Sequence, residues 1–219
     1  MILSSFAVEL LPEFESDKKE DHIWSMFQKK CEELETHPVS LLQDQLSSGG
    51  VVLSHYPINL TIITAMSSVL IKPLKESRLT KISLTHMNIN SIGLQNLADA
   101  LCSIENCPLL ILILDGNPLS KCPAYRQDSS QGPFSLDSTC QDPLVARPNR
   151  NTFCSAGAEA LTTIIKTIDG LSHLSVAQCQ LRNSGLVEVA GAVKNHESIT
   201  FLNMSDNEAS DNGGNDLLK

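Results

Sequence analysis

The sequence predicts an α/β solenoid, with short parallel strands on the inside, helices on the outside and an α-helical cap at the N-terminus. Three observations carry this reading. An eleven-residue apolar frame occurs four times in the 219-residue chain. Neighbouring frames start 30 (109 − 79) and 28 (199 − 171) residues apart. The segments between frames keep the 3.6-residue apolar period of helices.

The frames read Leu79-x-x-Ile82-x-Leu84-x-x-Met87-Asn88-Ile89, Leu109-x-x-Leu112-x-Leu114-x-x-Asn117-Pro118-Leu119, Leu171-x-x-Leu174-x-Val176-x-x-Cys179-Gln180-Leu181 and Ile199-x-x-Leu202-x-Met204-x-x-Asn207-Glu208-Ala209. The x-Leu-x-Leu portion alternates, so its leucines face inward and the residues between face out. The Asn or Cys stands where the chain leaves the strand, where an amide or thiol satisfies buried backbone groups. Met87 holds that slot in the first frame, so either the turn is shifted by one residue or the rung is unfilled.

Helices are expected over Ile92 to Ile104, Ala158 to Ile168 and Leu186 to Val193. Gly93, Gly157 and Gly185 stand near their starts, where a tight strand-to-helix passage brings backbones close. Upstream, Ile23, Trp24, Phe27, Cys31 and Leu34 line one side of a helix over 21–36, with Asp21 as N-cap and Pro38 as stop. A second short helix is expected over Val39 to Leu46. Val51 to Pro73 reads as a degenerate first repeat, strand then helix. The expected division is a tail and helical cap over 1–50 and a repeat domain over 51–219. A proline-rich loop insertion over 120–153 interrupts the repeats, because the middle frames start 62 residues apart (171 − 109).

The frame L-x-x-L-x-L-x-x-N/C-x-L is the leucine-rich repeat signature. With its long helical repeats the chain resembles the ribonuclease-inhibitor-like subclass, which also occurs in NOD-like receptors, tropomodulins, the Ran GTPase-activating protein and many ciliary or cytoskeletal scaffolds. The resemblance covers roughly 75–219 apart from the insertion, and implies a leucine-rich repeat solenoid that recognises protein partners. A GTPase-activating role would imply an Arg or Asn delivered from early repeat loops. Those loops offer Asn88, Asn90 and Asn117 and no Arg.

The net charge of −9 argues against general nucleic-acid binding, which requires a basic stripe. No apolar run reaches the ~18 residues of a membrane span. Met1 to Leu11 is apolar but lacks the positive start and cleavage site of a signal peptide. Seven irregularly spaced cysteines read as reduced intracellular thiols, and Cys122, Cys140 and Cys154 lack zinc spacing. The sequons at Asn59 and Asn203 are read as coincidental. No nucleophile–base motif, P-loop or dinucleotide fingerprint is present, so a non-enzymatic chain without cofactor or metal is expected. Residues 213–218 resemble the opening of a further repeat helix, and the array is expected to continue or be truncated there.

The expected protein-binding residues are the outward strand positions of the concave face: Lys81, Ser83, His86, Leu110, Ile111, Ile113, Asp115, His173, Ser175, Gln178, Phe201 and Asn203. Leu110, Ile111, Ile113 and Phe201 are unusually apolar for an exposed sheet. They form either an interface or a surface covered by a cap or, most directly, by the 120–153 insertion. The expected function is a cytoplasmic protein-interaction scaffold in a cytoskeletal or ciliary assembly, contacting its partner through the concave sheet and the inserted loop. The alternative is a regulatory module, acting on a small GTPase or as the sensor region of a receptor.

Overall fold

The computed structural model describes residues 22–46, 49–76, 79–121 and 155–210. The N-terminal tail with Asp21, residues 122–153 of the expected insertion together with Cys154, and the helix opening after residue 210 lie outside the described residues. Five parallel strands stand side by side in chain order: β1 (Gly50–Ser54), β2 (Lys81–Thr85), β3 (Ile111–Ile113), β4 (His173–Ser175) and β5 (Phe201–Asn203). Ahead of them lies α1 (His22–Glu33), followed by a 3-10 turn over Ser40–Leu42. The helices α2 (Leu60–Lys75), α3 (Ser91–Cys102), α4 (Ala156–Thr167) and α5 (Arg182–Lys194) follow the strands in alternation. Among the described residues no helix is long and apolar enough to cross a membrane.

The degenerate first repeat is a full coil. Val51 pairs in register with Ile82, and Leu53 with Leu84. The frame therefore extends backward with Tyr56 in the Asn/Cys slot and Ile58 at the last apolar position. One helix expectation changes: the segment Val39 to Leu46 makes only one 3-10 turn. The helix of the first repeat, α2, runs through Pro73 to Lys75.

The core is built from the frame. Leu79, Ile82, Leu84, Leu109, Leu112, Leu114, Leu171, Leu174 and Val176 are all fully buried. On the helices, apolar residues at three- and four-residue spacing, such as Leu94, Leu97, Ala98 and Leu101, close the other side. Asn59 and Asn90 cap their helices by accepting from the amides of Ile62 and Gly93. Phe27, Cys31 and Leu42 of the N-terminal segment are also fully buried. Trp24 is half-buried, its ring centroid 5.6 Å from that of Phe27.

The coils are stapled by side chains in the Asn/Cys slot. Asn117 Oδ1 accepts from the amides of Met87 and Ile89, both at 3.0 Å, while its Nδ2 donates to the carbonyls of Leu84 (2.6 Å) and Leu114 (2.7 Å). Asn207 repeats this in the last described coil, accepting from Cys179 and Leu181 and donating to Val176 and Met204. Cys179 Sγ donates to the carbonyls of Leu114 and Ala177. Met87 lies fully buried in the same slot. The turn is thus not shifted; its rung lacks a polar side chain, and Asn117 of the next coil satisfies its amide.

Gly157 is the tightest of the three helix-start glycines. A Cβ there would collide with the carbonyl oxygen of Leu119, whereas one at Gly185 would meet Ala158 Cβ at 3.3 Å. Gly157→Ala is expected to destabilise the chain by about 2 kcal/mol or more, and Gly185→Ala by about 1 kcal/mol or less, in urea unfolding. Asn117→Ala leaves four buried backbone groups without that partner and is expected to cost about 3 kcal/mol or more. A midpoint within error of the wild type would refute the stapling role.

Candidate functional site

The register sets the concave face out in rows. One row runs Gly50, Lys81, Ile111, His173, Phe201; two residues further along the strands runs Val52, Ser83, Ile113, Ser175, Asn203. Before the first row lies Leu110, whose amide bonds to the Thr80 carbonyl and whose own carbonyl takes the amides of Ser172 and His173.

The apolar residues expected from the sequence lie at and just before β3 and on the last strand, β5. Leu110 and Phe201 are 44% and 45% exposed, with Ile111 and Ile113 half-buried between them. Phe201 is not isolated: the His173 ring lies nearly parallel on it, centroids 3.9 Å apart and planes 8° from each other. Val52, 47% exposed, extends the apolar surface onto β1. Alternation within Val51 to Leu53 was the signal that points Val52 outward. Ser83 and Ser175 hold outward positions but are buried, because each short side chain lies between taller neighbours on adjacent strands ~4.8 Å away. Ile113 therefore stands as a ridge between two shallow troughs.

The rim at the strand C-termini is polar and internally bonded. Asp115 Oδ1 accepts from Ser175 Oγ (2.7 Å) and the Ala177 amide (2.8 Å), and Oδ2 also accepts from Ser175 Oγ (2.9 Å). This carboxylate ties β3 to β4. His86 lies just past β2 with φ +52° and stacks on His55, centroids 4.5 Å apart. Thr85 Oγ1 donates to Ser54 Oγ at 2.9 Å, leaving the serine proton for Nδ1 of His55 at 2.6 Å. Gly116 faces the His86 ring so closely, at φ +70°, that a Cβ would overlap it. His55 was missed from sequence because its role depends on a residue 31 positions away (86 − 55). Gln178 reaches Asp206 at 3.5 Å, the outer limit of a hydrogen bond. Lys81 lays its stem over Gly50, where a Cβ would meet Lys81 Cβ at 3.3 Å. Asn203 Oδ1 accepts from the Ser205 amide and hydroxyl.

The strands thus bring all twelve expected residues onto one face, in two different settings. Leu110, Ile111, Ile113, His173 and Phe201 form a largely apolar strip running from β3 to β5. Ser83, Ser175 and Asp115 belong to its floor and bracing. Among the described residues no group of three or more His, Cys, Asp or Glu is placed to hold a metal ion.

No family model matches the sequence, and no curated protein matches it. Among solved structures, the chain is similar to the tropomodulin C-terminal domain from Caenorhabditis elegans. The TM-score is 0.51 at 12% identity, over 90% of this chain and 89% of that one. At that identity the likeness is one of fold. With the sequence frame and the parallel five-stranded sheet, it establishes an α/β solenoid of the leucine-rich repeat type.

Burial separates the four described cysteines by reactivity. Cys179 is pushed up to about 12, first by burial and then by the nearby Asp115 charge, against the favourable backbone amides of Asn117 and Gly116. It stays a protonated thiol through the range in which a free thiol ionises. Native alkylation near pH 8.5 followed by peptide mapping is expected to spare Cys179 and label half-exposed Cys102 first among Cys31, Cys102, Cys107 and Cys179. Early labelling of Cys179 would contradict its place in the ladder.

Proposed function

We propose that the chain is a non-enzymatic protein-interaction module that receives its partner on the concave sheet. The observation that carries this is the strip: Leu110, Ile111 and Ile113 at β3 and Phe201 on β5, with the His173 ring of β4 between them, on a face whose backbone is held by the strand ladder. Contiguous exposed apolar surface on a soluble fold marks interaction sites. A face already ordered before binding loses little conformational entropy on association. The His173–Phe201 stack supplies an aromatic anchor of the kind that dominates binding energy at interface centres. Around the strip, Lys81, His86, Gln178 and Asn203 provide the polar rim, while Ser83, Ser175 and Asp115 fix its shape.

The repeat frame and helix length support a place in the ribonuclease-inhibitor-like subclass, with residues 1–50 as tail and cap. The likeness to a tropomodulin domain, together with the scaffolds that share this repeat type, supports a cytoskeletal or ciliary setting and a cytoplasmic location.

Affinity capture with the full chain tests the reading. Ile111→Asp and Phe201→Asp each place a charge in the strip and are expected to lower recovery of the captured partner at least tenfold, the equivalent of about 1.4 kcal/mol. Val187→Asp, on exposed α5, is expected to leave recovery unchanged. Equal recovery with well-folded strip variants would sink the concave site.

A further inference from the structure

Of the six histidines, two stand together with ring nitrogens to spare. His196 uses both of its nitrogens on backbone: Nε2 lies 3.0 Å from the Ile168 carbonyl, and Nδ1 accepts from the Ser198 amide at 3.3 Å. The His173 ring is stacked on Phe201. His55 and His86 hold the same position in two adjacent coils, each following the paired strand residues Ser54 and Thr85, and both are exposed. Apart from His55 Nδ1, which meets Ser54 Oγ, their ring nitrogens have no hydrogen-bond partner among the described residues.

Both histidines start from fixed backbone. The His55 amide donates to the Thr85 carbonyl at 3.0 Å, and the His86 amide to the Asp115 carbonyl at 2.8 Å. The two share the same left-handed conformation, at φ +56° and +52°. Their rings face each other with centroids 4.5 Å apart and planes 25° from parallel. From the following coil, Gly116 packs against the His86 ring.

We propose that His55 and His86 together chelate a late first-row transition-metal ion, Cu(II) ahead of Zn(II). Neutral imidazole is a preferred ligand of both ions, and divalent affinity reaches its maximum at copper. Metal–nitrogen bonds of about 2.0–2.1 Å put two ligating nitrogens roughly 3 Å apart. Rings stacked at 4.5 Å with a 25° tilt reach that spacing by small rotations about χ2, which is soft for histidine. The second shell is already in place. With Nε2 of His55 on the metal, Nδ1 carries the proton and donates to Ser54 Oγ, which also accepts from the Thr85 hydroxyl. The serine proton turns to solvent, so one proton moves between the ring nitrogens and none is gained or lost. Such a partner fixes the orientation of a ligating ring and raises its basicity. The Asp115 carboxylate, on the neighbouring coil, is engaged by Ser175 and Ala177 and is not a third ligand. Water completes the shell. With two protein ligands, fewer than a structural zinc centre uses, the ion binds exchangeably at the rim and does not hold the fold.

Calorimetric titration of the full, tag-free chain with CuCl2 and with ZnCl2, after alkylation of its exposed thiols, tests the proposal. One equivalent of either ion is expected to bind. His55→Ala and His86→Ala are each expected to lower the affinity at least about tenfold. His22→Ala, on α1, is expected to bind like the wild type. A wild type that binds neither ion overturns the proposal, as does unchanged affinity in either folded rim variant. If those variants fail to fold, the electron paramagnetic resonance spectrum of the wild type with one equivalent of Cu(II) decides. Hyperfine coupling to two imidazole nitrogens is expected, and coupling to fewer overturns the site.

Discussion

The structure depends on what happens where each chain segment leaves its strand. The strands are three to five residues long, and the turn that follows points amides and carbonyls into the core. Each such group left unpaired costs about 1–3 kcal/mol. The carboxamides of Asn117 and Asn207 each satisfy four or more backbone groups at once, and the bonds run between coils as well as within them. No coil could keep its shape alone. The stacking that buries the leucines is the same stacking that places each rung beneath the previous turn, so packing and polar satisfaction arrive together.

The rungs also hold backbone that is unfavourable on its own. His55, His86, Gln178 and Asp206, each just before the slot, have φ between +52° and +56°, with Gly116 at +70° in the remaining coil. Asn88, Gln180 and Glu208, just after it, are at +60° to +61°. Left-handed conformations cost roughly 1–2 kcal/mol for residues with a Cβ. Pro57 and Pro118 cannot take that shape, since the ring fixes φ near −65°. At Pro118 the chain tightens instead, with the Leu119 amide donating to the Asn117 carbonyl at 2.8 Å. Two turn geometries therefore serve one ladder.

The parts legible in the sequence were those with a period. The strands of the four frames and the helices between them followed from the spacing of Leu and Ile, because burial imposes the same pattern on each coil. The first coil was read only as degenerate, since Tyr56 replaces the rung residue. What was not legible depends on neighbours about 30 or 60 positions away. The Asp115 carboxylate binding Ser175 and Ala177, and the His55–His86 stack, are contacts between adjacent coils that leave no mark within either frame. The outward positions of the candidate site were read from the frame alone. Their division into apolar strip and internally bonded floor required the side chains across the register.

That division narrows where recognition can lie. The frame reserves its apolar and rung positions for the core, which leaves the outward positions free to vary between proteins of this fold. At the strand C-termini those positions are largely committed to the chain itself, through Asp115, Ser54, Thr85 and the stacked imidazoles. Nearer the strand starts, Leu110, Ile111 and Phe201 have no polar group to satisfy and stabilise nothing by facing water. Burial at roughly 25 cal/mol per Å² applies to them only when another surface covers them. On the proposed reading, the energetic incentive to associate is concentrated in the half of the concave face nearest the strand starts, and the bonded rim keeps that half in a fixed shape.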